Sequence, residues 1–249
     1  PGNANWIVNH TSPSVDVNWG KGPNGDGRND DLSEYQMTPS IYIQNPWFAQ
    51  NYYVNDSEKE RFIGSINMRY DLTDWLYARA RVGADRYDLH RTQSEPYGTG
   101  YKPMGGINHY KLAFKQFDSD FFLGTDNLSL TDDVALTAFV GVGSNVQEAE
   151  SVSINGNDFI VPGLVSINNV ANKSAGYGYS KKQINSAYGS AELGFQDYAF
   201  LTVTARNDWF STLSLAGKDS PNNDLYTSAT LSLILSDALD LGQAVTFLK

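Results

Sequence analysis

Along residues 61–89, RFIGSINMRYDLTDWLYARARVGADRYDL, apolar and polar positions alternate, break once at Asp71–Asp74, and alternate again. In the first run Phe62, Gly64, Ile66, Met68 and Tyr70 share one face, and Ile63, Ser65, Asn67 and Arg69 the other. After DLTD, the smooth face continues as Leu76, Ala78, Ala80, Val82 and Ala84, opposed by Tyr77, Arg79, Arg81 and Asp85. A period of two is that of a β-strand. Strands of soluble sheets are about 5–6 residues long. Each run here is roughly twice that, close to the ~9–11 residues of a strand that crosses a membrane.

The rhythm recurs in three more candidate hairpins: 109–124 with 133–147, 184–195 with 198–206, and 225–236 with 243–249. Connections within pairs are short (DLTD, TDNLSLTD, QD, DALDLG), whereas those between pairs are long, roughly 90–108, 148–183 and 207–224. Short turns at one end and long loops at the other predict an outer-membrane barrel with periplasmic turns and extracellular loops. A soluble sandwich would space its strands evenly. Charge also keeps to one parity. Ala187, Gly189, Ala191, Leu193 and Phe195 are predicted to face lipid and Tyr188, Ser190 and Glu192 inward; Leu201, Val203 and Ala205 face lipid and Thr202, Thr204 and Arg206 inward. A mid-membrane Arg or Lys on the lipid side would cost about 2–4 kcal/mol. Tyr70, Trp75, Tyr77, Phe195 and Tyr198 flank the short turns, where an aromatic girdle is expected. Residues 1–59, rich in Asn, Gly, Pro, Asp and Trp, show no sustained alternation and read mainly as an extracellular loop region; residues 60–249 read as four transmembrane hairpins.

Composition narrows the function classes. With 249 residues, 41% hydrophobic and 13% aromatic, the chain carries enough apolar surface to fold. No stretch approaches the ~20 apolar residues of a membrane helix, which leaves a barrel open because only alternate barrel residues meet lipid. The absence of Cys excludes disulfides, thiol nucleophiles and thiolate metal sites. A net charge of -10 argues against nucleic acid as a partner.

The run SAGYGYSKKQINSAYGSAELGFQDYAFLTVTARNDWFSTL (174–213) resembles the SusC/RagA-type TonB-dependent transporters of Bacteroidetes outer membranes, which carry a G-Y-S-x-K-x-I-N-S-x-Y-G-S run and then a strand ending R-N-D-W-S-S-T-L. RFIGSINMRYDLTDWLYARARVGADRYD and NPWFAQN (45–51) resemble upstream stretches of the same barrel, and LYTSATLSLILSDAL (225–239) a downstream one. Phe210 stands where Ser is usual, and LYTSATLSL lacks the Pro of the family's F-Y-P-S version. The resemblance covers about residues 40–240. It implies an interior segment of a much larger, 22-strand type antiparallel barrel, whose plug and TonB box are not in these residues. It also implies import of a glycan or peptide with a SusD-like surface lipoprotein, driven through TonB–ExbB–ExbD. A soluble secreted carbohydrate-binding β-sandwich is the competing expectation.

Candidate chemistry is sparse. Asp26, Asp30 and Asp31 in NGDGRNDDL have the acid and Gly density of a Ca²⁺ loop, but Arg28 stands where another oxygen ligand is needed. His10, His90 and His109 lack zinc spacing, and GTGYKPMGG lacks the ending of a phosphate loop. No catalytic group and no cofactor are expected. Trp6, Trp19, Trp47 and Trp209, with Tyr52 and Tyr53, lie in or beside predicted extracellular loops, where their rings would stack on sugar or pack against the lipoprotein. Arg79, Arg81, Asp85, Arg206 and Asp208 are expected on the inner face or rim, with Arg206 within reach of Asp208.

Overall fold

The computed structural model describes residues 16–196, 198–213 and 221–235. Strands β1 (Val54–Asp71), β2 (Tyr77–Glu95), β3 (Gly106–Ser129), β4 (Val134–Phe159), β5 (Val170–Phe195), β6 (Ala199–Phe210) and β7 (Asn223–Leu233) pair in chain order into one antiparallel sheet. Register in β5–β6 runs from Ile184 opposite Phe210 to Phe195 opposite Ala199, and in β6–β7 from Ala199 opposite Leu233 to Trp209 opposite Asn223. The β1–β2 turn is closed by Leu72 N–H donating to the Leu76 carbonyl at 2.8 Å, and the β3–β4 turn by Leu130 N–H donating to the Val134 carbonyl at 2.9 Å. The predicted eighth strand, 243–249, lies outside the described residues.

The strands are longer than the alternation indicates. β4 and β5 each have 26 residues, more than twice the ~9–11 that cross a bilayer. Much of the predicted connections 90–108 and 148–183 is strand, which leaves connections of 96–105 and 160–169, and β1 begins at Val54 inside the predicted loop region. In VNDSEKE (54–60) and DLHRTQSE (88–95) both faces are polar. Hydrophobic alternation reports the medium on either side of a strand and not its backbone pairing, so pairing continues where alternation stops.

The chain divides into two compact units, and β1 to β5 contribute residues to each. The first unit is Pro1–Glu60, Tyr87–Ala113 and Ala149–Tyr179. Its core is Ile107, Phe159 and Val170 with Tyr97 and Ile167 against them. Helix α1 (Pro46–Tyr52) buries Phe48; it begins with Pro46 at its first position, and the Asn45 side chain caps it by accepting from Trp47 N–H at 2.9 Å. The turn after β4 is tied by buried Asn169, whose Nδ2 donates to the Val161 and Leu164 carbonyls at 2.8 and 2.7 Å.

The second unit, Arg61–Arg86, Phe114–Glu148 and Ser180–Lys249, is a wall with two unlike faces. Phe62, Ile66 and Met68 of β1, Val82 of β2, Phe117, Phe121 and Leu123 of β3, Val140 and Val142 of β4, Leu193 and Phe195 of β5, Leu201 and Val203 of β6, and Leu225 and Leu231 of β7 are all exposed; Ile66, Val140 and Leu231 each keep 67% of their surface. Those of β5 and β6 stand on the parity predicted to face lipid and those of β1 and β2 on the smooth parity, and the alternate positions from Phe62 to Tyr70, Phe117 to Leu123 and Leu201 to Trp209 carry no charge. Among the described residues of this unit, Tyr77 is the one buried apolar side chain. A sandwich hides its apolar parity under a second sheet; the described strands form one sheet.

Candidate functional site

The other face of the wall gathers the charge. Arg81 Nη2 lies 2.6 Å from Asp120 Oδ2, the Tyr188 hydroxyl donates to Asp120 Oδ1 at 2.9 Å, and Arg206 Nε is 2.8 Å from Asp208 Oδ1. Arg61 grips Asp85 with two bonds, of 2.9 and 2.6 Å, and Arg69 bridges Asp71 and Asp126 at 2.9 and 2.7 Å. Aromatic rings run between these pairs: Tyr77 to Phe122 at 6.4 Å, Phe122 to Phe139 at 5.6 Å and Phe139 to Tyr188 at 6.2 Å between centroids. Arginines lie over the rings, with Arg69 3.9 Å from Tyr77, Arg79 5.7 Å from Phe122 and Arg206 5.6 Å from Tyr188. The ladder therefore crosses β1 to β6 on one face.

Two glycines let the rings lie down. A Cβ at Gly124 would sit 2.6 Å from the Tyr77 hydroxyl, and one at Gly141 2.6 Å from Phe122 Cβ. Above the rings is a cavity of about 410 Å³ lined by Asn67, Arg79, Arg81, Asp120, Tyr188 and Arg206 among others. Its rim offers guanidinium and hydroxyl donors over an aromatic floor, a surface that holds polar solutes without a nucleophile or a metal cage.

Arg79, Arg81, Asp85, Arg206 and Asp208 thus fall on one face, and Arg206 Nε donates to both Asp208 oxygens. Asp120 is the member that inspection of the sequence passed over; its signal is the alternation FDSDF, in which Asp118 and Asp120 oppose Phe117 and Phe121. Tyr77, placed in the girdle by its position beside a turn, is 9% exposed and packs under Arg69. Odd-numbered positions of β2 point to the charged face, so parity overrides proximity to the turn.

The loop residues of the first unit have other neighbours. Trp6 lies outside the described residues. Trp19 packs edge-on to Tyr35 at 6.1 Å, Lys21 Nζ lies 4.7 Å over Trp47, and Arg28 lies 3.6 Å over Tyr52. Tyr53 packs edge-on to Phe48 at 6.2 Å. These rings fasten the loop to itself. Trp209 stands in β6 on the parity of Leu201 and Val203, 41% exposed, because the strand runs on through Phe210. Asp26 accepts from Arg28 N–H and the Tyr52 hydroxyl, and Asp31 Oδ1 accepts from Ser33 N–H and Oγ. The structure does not bring Asp26, Asp30 and Asp31 together as a cage; among the described residues no group of three or more acidic or His side chains has metal-holding geometry.

Glu34, unremarkable in the sequence, organises this unit. Its carboxylate is 2% exposed and accepts from Asn45 N–H at 2.5 Å and Gly100 N–H at 3.0 Å, joining segments 11 and 66 residues away. Burial pushes its pKa above the usual carboxylate range, against the pull of those two bonds. At Glu95 burial works in the same sense, but donation from Lys102 Nζ at 2.8 Å and the Tyr101 hydroxyl at 2.5 Å outweighs it and leaves the carboxyl below its ordinary value.

No family model and no curated protein matches the chain. Solved structures do. The RagAB peptide transporter superimposes with a TM-score of 0.67 at 15% identity, over 78% of this chain and 22% of that one. The RagAB peptide importer gives 0.67 at 15% in its open-open state, over 81% and 22%, and 0.69 at 14% in its closed-closed state, over 84% and 23%. The chain therefore spans less than a quarter of the length of these neighbours. At such identity the likeness is one of fold: an all-β antiparallel sheet shared with the RagAB transporter.

Proposed function

We propose that this chain forms part of the wall of a SusC/RagA-type outer-membrane barrel of about 22 strands. In this reading the complete transporter imports an oligosaccharide or peptide, works with a SusD-like surface lipoprotein and draws energy through TonB–ExbB–ExbD. One observation carries the proposal: the wall exposes large apolar side chains on one parity of every strand and gathers its ion pairs on the other. In water such an apolar face is an aggregation surface; in a bilayer it is the required lining, with the charged parity turned to an aqueous lumen. The fold shared with an importer supports the same reading.

The test is extraction of the native full-length protein. Recovery from outer membranes only with detergent, a co-purifying lipoprotein, and solute uptake that stops when the inner-membrane proton gradient is dissipated are the expected results. A water-soluble monomer that binds sugar would refute it.

A further inference from the structure

The first unit contains a cleft of about 230 Å³ to which the charged face contributes nothing. Five carboxamides on four successive strands line it: Asn55 on β1, Gln93 on β2, Asn108 on β3, and Asn155 and Asn157 on β4. Four of them are coupled in pairs. Gln93 Nε2 donates to Asn55 Oδ1 at 3.1 Å, and Asn108 Nδ2 donates to Asn155 Oδ1 at 2.5 Å. Thr92 Oγ1, 3.0 Å from His109 Nδ1, ties β2 to β3 beside them, so Gln93 and Asn108 stand at the same level of adjoining strands.

A carboxamide carries two N–H donors and one carbonyl acceptor. One bond within a pair leaves that pair a carbonyl and N–H groups for something else. The complement is a peptide group, which offers one N–H and one C=O, so each pair can accept from and donate to one main-chain amide. Carboxamides are uncharged and read the main chain whatever side chains it carries. Val54 and Ile107 supply an apolar seat for a side chain, and the Lys102–Glu95 ion pair closes the cleft. The lining ring, Tyr53, is packed edge-on to Phe48 with its hydroxyl buried. It is not laid open as the stacking platform a sugar ring needs.

We propose that this cleft binds the main chain of an extended peptide, with Asn55/Gln93 and Asn108/Asn155 each engaging one amide group. The volume is below the ~300 Å³ at which small-molecule sites begin, so the cleft holds a short stretch of a longer ligand. This rests on the importer reading and narrows its cargo from oligosaccharide or peptide to peptide.

The experiment uses the full-length transporter with its lipoprotein, and three probes: a blocked hexapeptide of small neutral residues, the same peptide with alternate main-chain nitrogens methylated, and a neutral hexasaccharide. Binding is measured by calorimetry for the wild type and for Gln93→Leu/Asn108→Leu, and uptake into energised cells in parallel. Wild type binds the hexapeptide; methylation weakens binding by about tenfold through the lost amide hydrogen bonds, as does the double substitution. In the variant, methylation has little further effect. Equal affinity for the methylated peptide overturns the proposal on wild-type protein alone, whatever the variant's folding, and so does selective loss of hexasaccharide binding in the variant. If wild type imports the peptide but the cleft variant binds it normally, the cleft assignment fails and the importer stands. If no probe is bound or taken up, both fail.

Discussion

Val203 and Thr204 are consecutive residues near the middle of β6, at the same depth and on opposite faces. Val203 stands between Ala191 and Ala229, 49% exposed, on the apolar parity; Thr204 stands between Ser190 and Ser228, its Oγ1 2.6 Å from Ser228 Oγ. If the apolar parity faces lipid, Val203→Lys places an ammonium near the bilayer midplane at a cost of about 2–4 kcal/mol. Thr204→Lys keeps its charge on the aqueous side and loses one hydroxyl bond, about 0.5–1.5 kcal/mol. The difference, about 2 kcal/mol at the middle of these ranges, is a factor of roughly 30 in the folding equilibrium. Urea unfolding of the full-length protein in phospholipid vesicles, followed by heat-modifiable gel mobility, reads it directly. On a solvated surface a substitution at Val203 shifts stability by no more than about 0.5 kcal/mol. A Val203→Lys protein as stable as wild type, with Thr204→Lys the weaker of the two, refutes the assignment of faces.

Four further outcomes follow from named contacts. Gly124→Val drives a side chain into the Tyr77 hydroxyl and the Ala138 carbonyl, 2.6 and 2.9 Å from an added Cβ, and lowers stability by about 1–3 kcal/mol, seen as an earlier urea midpoint. Arg81→Gln removes an ion pair whose arginine side chain is 57% exposed; stability changes by less than about 1 kcal/mol while the rate of solute uptake changes. Trp209→Phe lowers the fraction of fluorescence quenched by brominated lipid if the apolar parity faces lipid, because the indole stands on that parity at a strand end. Glu34 has a raised folded-state pKa, so the folded state binds its proton more readily than the unfolded one. The stability it confers falls as pH rises from the ordinary carboxylate range through that raised value and is level above it. Glu34→Gln abolishes the slope and forfeits one of two carboxylate bonds, because an amide nitrogen cannot accept; exchange of the Asn45 or Gly100 amide hydrogen then quickens about tenfold or more, at roughly 1.5–3 kcal/mol for a charge-assisted bond, measurable by mass spectrometry.

What the sequence disclosed depended on the medium around each strand. The wall between Phe62 and Trp209 was legible because apolar and polar residues alternate along it, in the proposed reading under lipid on one side and water on the other, and alternation is a local property. The strand extensions 88–95 and 148–159 were not, because apolar side chains are few there (Leu89 in the first; Ala149, Val152, Ile154 and Phe159 in the second) and backbone pairing is what marks them. Arg206 and Asp208, two residues apart on one face, could be paired by counting. Arg81 with Asp120, 39 residues apart, and Glu34 with Gly100, 66 apart, needed the register of several strands. Nor does any local pattern distinguish Glu34 from the acids around it in a segment rich in Asp, Gly and Asn.

The ion pairs of the wall contribute little to holding it. Arg69, Arg81 and Arg206 have side chains 47%, 57% and 51% exposed, and pairs so open to water are worth at most about 1 kcal/mol each. The sheet is held by its backbone ladder and, in this reading, by lipid against its apolar parity. Residues on the charged face can then change with small cost to folding, which leaves their charge, reach and spacing to be set by what passes over them. Glu34 is in the opposite position: it is buried and bonded to two distant backbone amides, so its replacement is felt first in the architecture of the loop. Substitutions on the charged face should therefore alter transport before stability, and substitutions at Glu34 stability before transport.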